Sequence, residues 1–352
     1  MNRAPHMRVH ESTAPEVAPQ VSTGELPQPG IVQELIGAAH RSYASVADGH
    51  VADYISALAE ASPDLFGIAV VGVAGRTAGV GDCAHPFTIQ SVVKPFVFAL
   101  VCEALGHAEV RERLGVNATG LPFDSVMAVE LAADGLTNPL VNSGAIAAAS
   151  LAPGLTAELK WRFLREGLSR FAGRDLELDE EVLASERATN GRNEAMARLL
   201  AGRGRIYFDP DETTDVYTRS CSLTVTTTDL AVMGATLADG GVNPITLERV
   251  VSPDTCRRAL AVMLTAGLYE LSGDWLYEVG LPAKSGVSGG IVTVAPGKGG
   301  LAIFSPPLDA AGNSVRGQLA TKLLAEALGL DLLASQPVDP RTMTEGSRSG
   351  RP

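Results

Sequence analysis

Cysteine and histidine are scarce in this chain, and basic residues are outnumbered by acidic ones. The four cysteines, Cys83, Cys102, Cys221 and Cys256, are far apart and form no CxxC pair. A disulfide framework is therefore not expected, and the thiols read as ordinary free cysteines. Six histidines make no HExxH pair and no cluster with Asp or Glu, so the expectation is chemistry with no metal, and no organic cofactor is implied. With 28 basic against 40 acidic residues, the formal net charge is -12. Such a surface repels polyanions, which argues against a nucleic-acid partner. Apolar runs are interrupted by charge, Gly or Pro before they reach membrane-spanning length, so no membrane partner is expected. The opening stretch, MNRAPHMRVHESTAPEVAPQ, has no continuous apolar segment. A secretory leader is not expected there, and a cytoplasmic location is. No internal repeat is visible.

What the chain does have is length and apolar content: 352 residues, 45% of them hydrophobic. That suffices for a large buried core, in one big domain or two closely joined lobes. Residues 1–29 carry Pro, Ser, Thr and Glu without useful periodicity and read as a flexible arm; residues 331–352 read as a polar tail. Between them, IVQELIGAAHRSYASV has helical rhythm, VADYISALAEAS offers a short helix, and FGIAVVGVAG reads as a strand followed by a hairpin and a second strand. The middle is mostly helical. Around Tyr217 a short loop or helix is expected before a Thr-led apolar helix, and GLPAKSGVSGGIVTVAPGKGGLAIFSPP returns to strands. Strands at both ends around a helical middle predict an α+β fold.

The stretch QSVVKPFVFAL raises a chemical question, because Ser91 and Lys94 open an otherwise apolar helix. Pro95 cannot donate to the carbonyl of Ser91, and its ring crowds that group, so Ser91 has to lie at or just before the first turn. There the unpaired N–H groups and the positive end of the helix dipole can stabilise an oxyanion, while Lys94, one turn on, can approach the serine oxygen. The pair supplies a nucleophile and a base. A helix-capping serine and a snorkelling lysine are the bland alternative, and the SxxK pattern does not decide between them. A second feature does: Lys284-Ser285-Gly286 lies in a strand-like segment whose glycines admit a close backbone approach. Penicillin-recognising serine acylases combine a helix-start SxxK with such a K[ST]G strand.

At this point a specific resemblance becomes visible. Tyr54, FTIQSVVKP, NPLVNSGAI, SERATNGRN, the Tyr217 region, GLY at Gly267–Tyr269, GLPAKSGVSGG and SPPLDAAGNSVRG occur in one order over residues 30 to 330. In this the chain resembles the serine-dependent glutaminase family, whose fold is similar to that of serine β-lactamases and DD-peptidases: an antiparallel sheet flanked by helices, with a largely helical lobe. The resemblance makes residues 30–330 a catalytic domain that hydrolyses L-glutamine to L-glutamate and ammonia. It implies Ser91 as nucleophile, Lys94 as general base, Tyr217 as proton relay, and the N–H groups of Ser91 and Val287 as oxyanion donors. Tyr54 and Tyr269 are implied as further pocket residues, Glu186 as partner of the substrate ammonium, and Gln90, Asn142 and Asn193 as substrate contacts. Glu186 and Asn193 are seven residues apart, a spacing that two helical turns place on one face. Water, a homodimer or homotetramer and stimulation by phosphate complete the expected partners.

Two departures bear on the choice among enzymes of this fold. No Ser-Asp-Asn triplet lies between SxxK and KSG, which weakens β-lactamase or peptidase chemistry. In NPLVNSGAI, Ser143 stands where the resemblance implies alanine, a small-for-small exchange. Another serine acyl hydrolase and a catalytically silent glutamine-binding protein remain as alternatives.

Overall fold

In a computed structural model, residues 25–132 and 134–335 are described. Most of the expected arm, residues 1–24, and most of the expected tail, residues 336–352, lie outside the described residues. Two antiparallel sheets and a set of helices make the α+β fold. The larger sheet has β1 (Gly67–Gly72), β2 (Thr77–Gly81), β6 (Ala283–Ser285), β7 (Gly290–Ala295) and β8 (Gly299–Phe304), in the order β2-β1-β8-β7-β6. The smaller has β3 (Phe87–Thr88), β4 (Glu177–Leu178) and β5 (Leu223–Val225), in the order β3-β5-β4.

Alternation along the strands explains why the larger sheet is covered on both faces. Ile68, Val70, Ile291, Leu301 and Ile303 belong to a core shared with the helices Pro29–Tyr43 and Val315–Ala327. Their neighbours Ala69, Val71, Val292, Val294, Ala302 and Phe304 face the opposite core, which the helical lobe builds. Successive side chains point to opposite faces, so β1, β7 and β8 are buried at every position and read as continuous apolar runs.

Helix Thr227–Ala238 joins the helical lobe to the sheet. Thr226 accepts from the Asp229 N–H while Asp229 accepts from the Thr226 N–H, a reciprocal cap that fixes where the helix starts. It packs directly on β7 and β8 because both sides of the contact lack side chains. A Cβ on Gly300 would lie 2.2 Å from the Ala231 carbonyl oxygen and 2.5 Å from the Ala235 nitrogen. On the other side of the lobe, Lys94–Leu105 is buried from Lys94 through Cys102. The sequence reading required only one buried face for this helix; here it is the centre of the core, with helices Asn142–Leu151, Ala157–Ala172 and Pro253–Ala266 around it.

Other expectations differ from the structure in instructive ways. Tyr217 lies within a regular helix, Pro210–Cys221, started by Asp209 accepting from Asp211 and Glu212 N–H groups. After it comes β5, which no periodicity announced, since strands of two or three residues are too short to show one. Glu186 and Asn193 do not share a helix: Glu180–Thr189 ends and Gly191–Gly202 begins on either side of Asn190. Two helical turns do not connect them, and they are brought together by the bend instead.

The Gly300 contact yields a test of the fold. Replacing Gly300 with alanine forces helix Thr227–Ala238 off β8 and is expected to cost about 1–3 kcal/mol of stability by overpacking. Urea unfolding should show this as a lower midpoint at similar slope; an unchanged midpoint would contradict the packing described.

Candidate active site

The chain reaches Ser91 under tight constraint. β3 pairs with β5, and the Ile89 N–H extends that pairing to the Leu223 carbonyl at 2.8 Å. A 3-10 turn, Gln90–Val93, then leads directly into helix Lys94–Leu105, which has Pro95 in its first turn. Ser91 therefore sits just before the α-helix, as Pro95 requires, and is itself buried. Gln90 has φ of +50° and Tyr269 has φ of +54°. Such left-handed conformations cost a residue with a side chain about 1–3 kcal/mol and concentrate at functional sites.

The KSG segment faces this turn. Lys284 and Ser285 end β6, Gly286 follows, and Val287 lies in the turn that leads to β7. A Cβ on Gly286 would lie 3.0 Å from a Val92 methyl and 3.1 Å from the Ile89 carbonyl oxygen. Glycine lets strand and nucleophile turn touch backbone to backbone, which brings Ser91 and Val287 to the same edge of the sheet. Val287 packs in one cluster with Tyr269, Ala52 and Ile55.

Around Ser91 the titratable groups are strongly perturbed. The Lys94 Nζ donates to Asn142 Oδ1 at 2.6 Å and to the Leu140 carbonyl at 3.4 Å, and the Phe123 ring lies 5.8 Å away. Burial lowers this amine to about 8, opposed by the weaker fields of Cys221 and Asp124. Asn142 is the first residue of helix Asn142–Leu151, yet its side chain turns to Lys94 and leaves that helix uncapped. Tyr269 donates to the Ser285 carbonyl at 3.2 Å. Burial holds this phenol well above its ordinary range, and Ser91 is near enough to pull it down slightly. Tyr217 is also buried, and burial first, then Cys221 one turn on, raises it well above the normal phenol value.

Glu186 stands on the other side of the nucleophile turn. Its Oε1 accepts from Gln90 Nε2 at 2.7 Å and from the Ser222 hydroxyl at 3.4 Å. Burial pushes this carboxyl up to about 7, against the pull of those two hydrogen bonds. Asn193 accepts from Asn142 at 3.1 Å, so the helix that carries Asn193 reaches the Lys94 side of the site. Tyr54 is the most open of the set, 57% exposed. The segment after it is tied to the Glu186 helix by a 2.9 Å hydrogen bond between Ser56 and Ser185. Desolvation of its hydroxyl end first, then Glu186 and Asp124, raises the Tyr54 phenol.

Ser91, Lys94, Gln90, Asn142, Glu186, Asn193, Tyr217, Tyr269, Val287 and Tyr54 thus come from eight separate segments. Sequence reasoning passed over three further groups. Lys284, fully buried, donates to the Gly267 carbonyl at 3.0 Å and the Ser285 carbonyl at 2.6 Å, with its ammonium 4.1 Å from the Tyr269 ring centre. Burial, and then the nearby Lys94 charge, holds it well below a normal lysine. Its motif was visible, but nothing in KSG says that the lysine turns back onto its own backbone. Cys221 lies beside Tyr217, and burial pushes its thiol up to about 12. Phe123 packs against Tyr269 with the ring centres 4.5 Å apart and the planes tilted by 39°, and its N–H donates to Glu270. Among the described residues no group of three or more His, Cys, Asp or Glu side chains is placed to hold a metal ion, and no helix is long and apolar enough to cross a membrane.

A serine hydroxyl at a strained helix entrance, an amine lowered by burial, a facing glycine strand and a half-buried carboxylate suit acyl transfer on a small charged substrate. The Glutaminase family model matches residues 49–333. Glutaminase 2 of Yersinia pestis is 58% identical over 317 residues, covering 90% of this chain and 93% of the relative. A glutaminase of Brucella canis is 52% identical over 292 residues, with 83% and 92% covered. Among solved structures, the probable glutaminase ybaS superposes with a TM-score of 0.86 at 43% identity, over 88% of this chain and all 100% of that one. The Bacillus subtilis glutaminase YbgJ, solved as a covalent complex with 5-oxo-L-norleucine, gives 0.76 at 33% identity, over 86% and 98%. With these neighbours it shares the serine β-lactamase-like fold. On sequence and structure together, the chain belongs to the glutaminase family.

Proposed function

We propose that this protein hydrolyses L-glutamine to L-glutamate and ammonia through a glutamyl ester on Ser91. One observation carries the choice of substrate: the 2.7 Å hydrogen bond from Gln90 to Glu186 joins an anionic side chain to the residue next to the nucleophile. A site of that kind reads an ammonium a few ångströms from the amide it cleaves, which suits an amino acid amide and not a neutral ester or lactam.

In this mechanism the Ser91 oxygen attacks the side-chain carboxamide carbon and its proton passes to Lys94. As the C–N bond breaks, Tyr217 gives its proton to the departing nitrogen and takes the one held by Lys94, so ammonia leaves and Lys94 is neutral again. The backbone N–H groups of Ser91 and Val287 stabilise the oxyanion, and the tight contact of Gly286 with the Ile89–Val92 turn supports their pairing. Water then adds to the ester carbonyl as Lys94 takes its proton; the acyl C–O bond to Ser91 breaks, Lys94 returns the proton to the Ser91 oxygen, and glutamate leaves carrying the water oxygen. Lys94 is suited to this because burial lowers its amine to about 8, close to the working range of a general base. Asn142, Asn193, Tyr54 and Tyr269 complete the pocket. The same reading makes residues 30–330 the catalytic unit. A homodimer or homotetramer, stimulation by phosphate and a cytoplasmic location come with the family resemblance.

Assays of ammonia and glutamate release, run beside asparagine and a chromogenic β-lactam, test the substrate; turnover of the lactam with none of glutamine would sink the proposal. Ser91→Ala should abolish turnover, and Lys94→Ala should lower kcat by ~10²–10⁴-fold; a wild-type rate in either removes it from the mechanism. Because Lys94 acts as the neutral amine, kcat should rise with pH and level off above about 8. The Glu186 carboxylate, raised to about 7, binds the ammonium only when ionised, so KM should climb as pH falls below that value. Glu186→Gln should raise KM by roughly 30-fold, the equivalent of about 2 kcal/mol for a charge pair broken in a buried site, with a smaller effect on kcat. A KM that is flat across this pH range and unmoved in Glu186→Gln would refute the ammonium-binding role.

A further inference from the structure

A file of hydrogen-bonded side chains runs from Lys94 away from the pocket. Lys94 Nζ donates to Asn142 Oδ1 at 2.6 Å, and Asn142 Nδ2 to Asn193 Oδ1 at 3.1 Å. Asn193 Nδ2 then donates to Asn190 Oδ1 at 2.7 Å, and Asn190 Nδ2 to Thr218 Oγ1 at 2.8 Å. The Thr218 hydroxyl gives its proton to the Thr214 carbonyl at 2.8 Å. Every bond points the same way.

That direction is imposed from the far end. A backbone carbonyl can only accept, and a threonine hydroxyl has one proton, so once Thr218 has donated to Thr214 its oxygen is left as an acceptor. Asn190 must then present its NH2 to Thr218 and its oxygen to Asn193, and each amide passes the orientation on. Turning any one of them over would set two NH2 groups or two oxygens face to face. Asn190 and Thr218 are buried, at 9% and 1% exposure, and a mismatch there is costly because a buried polar group left unpaired loses about 1–3 kcal/mol. The backbone at Asn190, φ -81° and ψ 3°, is also where the Glu186 helix ends and the Asn193 helix begins.

We propose that Asn190 is a positioning residue for the Ser91–Lys94 chemistry: anchored on Thr218, it fixes through Asn193 which end of the Asn142 amide faces Lys94. This rests on the reading of Lys94 as the base. An oxygen facing Lys94 stabilises the ammonium that forms when it takes the Ser91 proton; an NH2 in that place opposes it. The other charged or titratable groups around Lys94 are Asp124 from the loop before helix Met127–Leu131, Cys221 from helix Pro210–Cys221 and Lys284 from β6. None of them belongs to the amide file, so substitutions in the file isolate its effect.

The test compares near-isosteric variants by the pH dependence of kcat. Asn190→Asp keeps an acceptor for Asn193 and adds negative charge, so the rising limb should move to higher pH. Asn190→Leu and Thr218→Val free the Asn142 amide to turn, so the limb should move to lower pH and kcat at its plateau should fall roughly tenfold, the effect of one mispaired buried group. Thr218→Ser, which restores the hydroxyl, should return both to wild-type values. Limbs that stay in place, or move in the same direction in Asn190→Asp and Thr218→Val, overturn the proposal; this comparison holds even when Asn190→Leu fails to fold. Lys94→Ala measured in parallel separates the two levels. Turnover that survives there removes Lys94 as base and this role with it, whereas a dead Lys94→Ala with unmoved limbs removes the Asn190 role alone.

Discussion

The site depends on keeping one amine out of water. Lys94 is 1% exposed and, among the described residues, makes no ion pair. A buried ammonium without a counterion is unstable, which is the physical reason its proton affinity drops. The surroundings soften the penalty without cancelling it. An amide oxygen, a carbonyl and an aromatic face meet the amine, and all three are dipoles or quadrupoles instead of full charges. A carboxylate in the place of Asn142 would have made a stable salt bridge and a poor base. The choice of an uncharged acceptor is what leaves the amine able to cycle between its two protonation states.

The same restriction explains the second lysine. Lys284 lies close enough for the Lys94 charge to count among the causes that lower it, and two charged amines in one dry pocket are worse than one. It donates to the carbonyls of Gly267 and Ser285, and its ammonium lies 4.1 Å from the Tyr269 ring centre. Lys284 is thus tied to the geometry of β6 and Tyr269, whereas the proposed proton transfers fall to Lys94. The positive φ of Tyr269 and of Gln90 are the local strains this arrangement tolerates, one on each side of the nucleophile.

How much of this could be read from residue order depends on the range of the constraint. Pro95 constrains its own helix, so the position of Ser91 before the first turn was legible. The long strands β1, β7 and β8 announce themselves as apolar runs. Asn142, Glu186 and Asn193 were reached through the family resemblance, because nothing local distinguishes a pocket asparagine from one that caps a helix. The break at Asn190 was misread as continuous helix: no proline or second glycine marks it, and what holds it is a hydrogen bond to Thr218, distant in sequence. Lys284 shows the same limit, since a lysine folding onto backbone carbonyls across a strand depends on where Gly267 has come to lie.

The topology of the larger sheet also fixes when the pocket can exist. β1 leaves the chain early, yet its partner opposite β2 is β8, with Gly67 paired to Phe304. Such long-range pairing is slow because the intervening chain must be ordered before the contact rewards it. During synthesis the Ser91 turn emerges long before the KSG strand that faces it, so the amine of Lys94 stays hydrated and fully protonated on the nascent chain. Competence for the proposed catalysis thus arrives with the last strands, and a chain cut short before β8 carries Ser91 and Lys94 without the buried setting that lowers the amine.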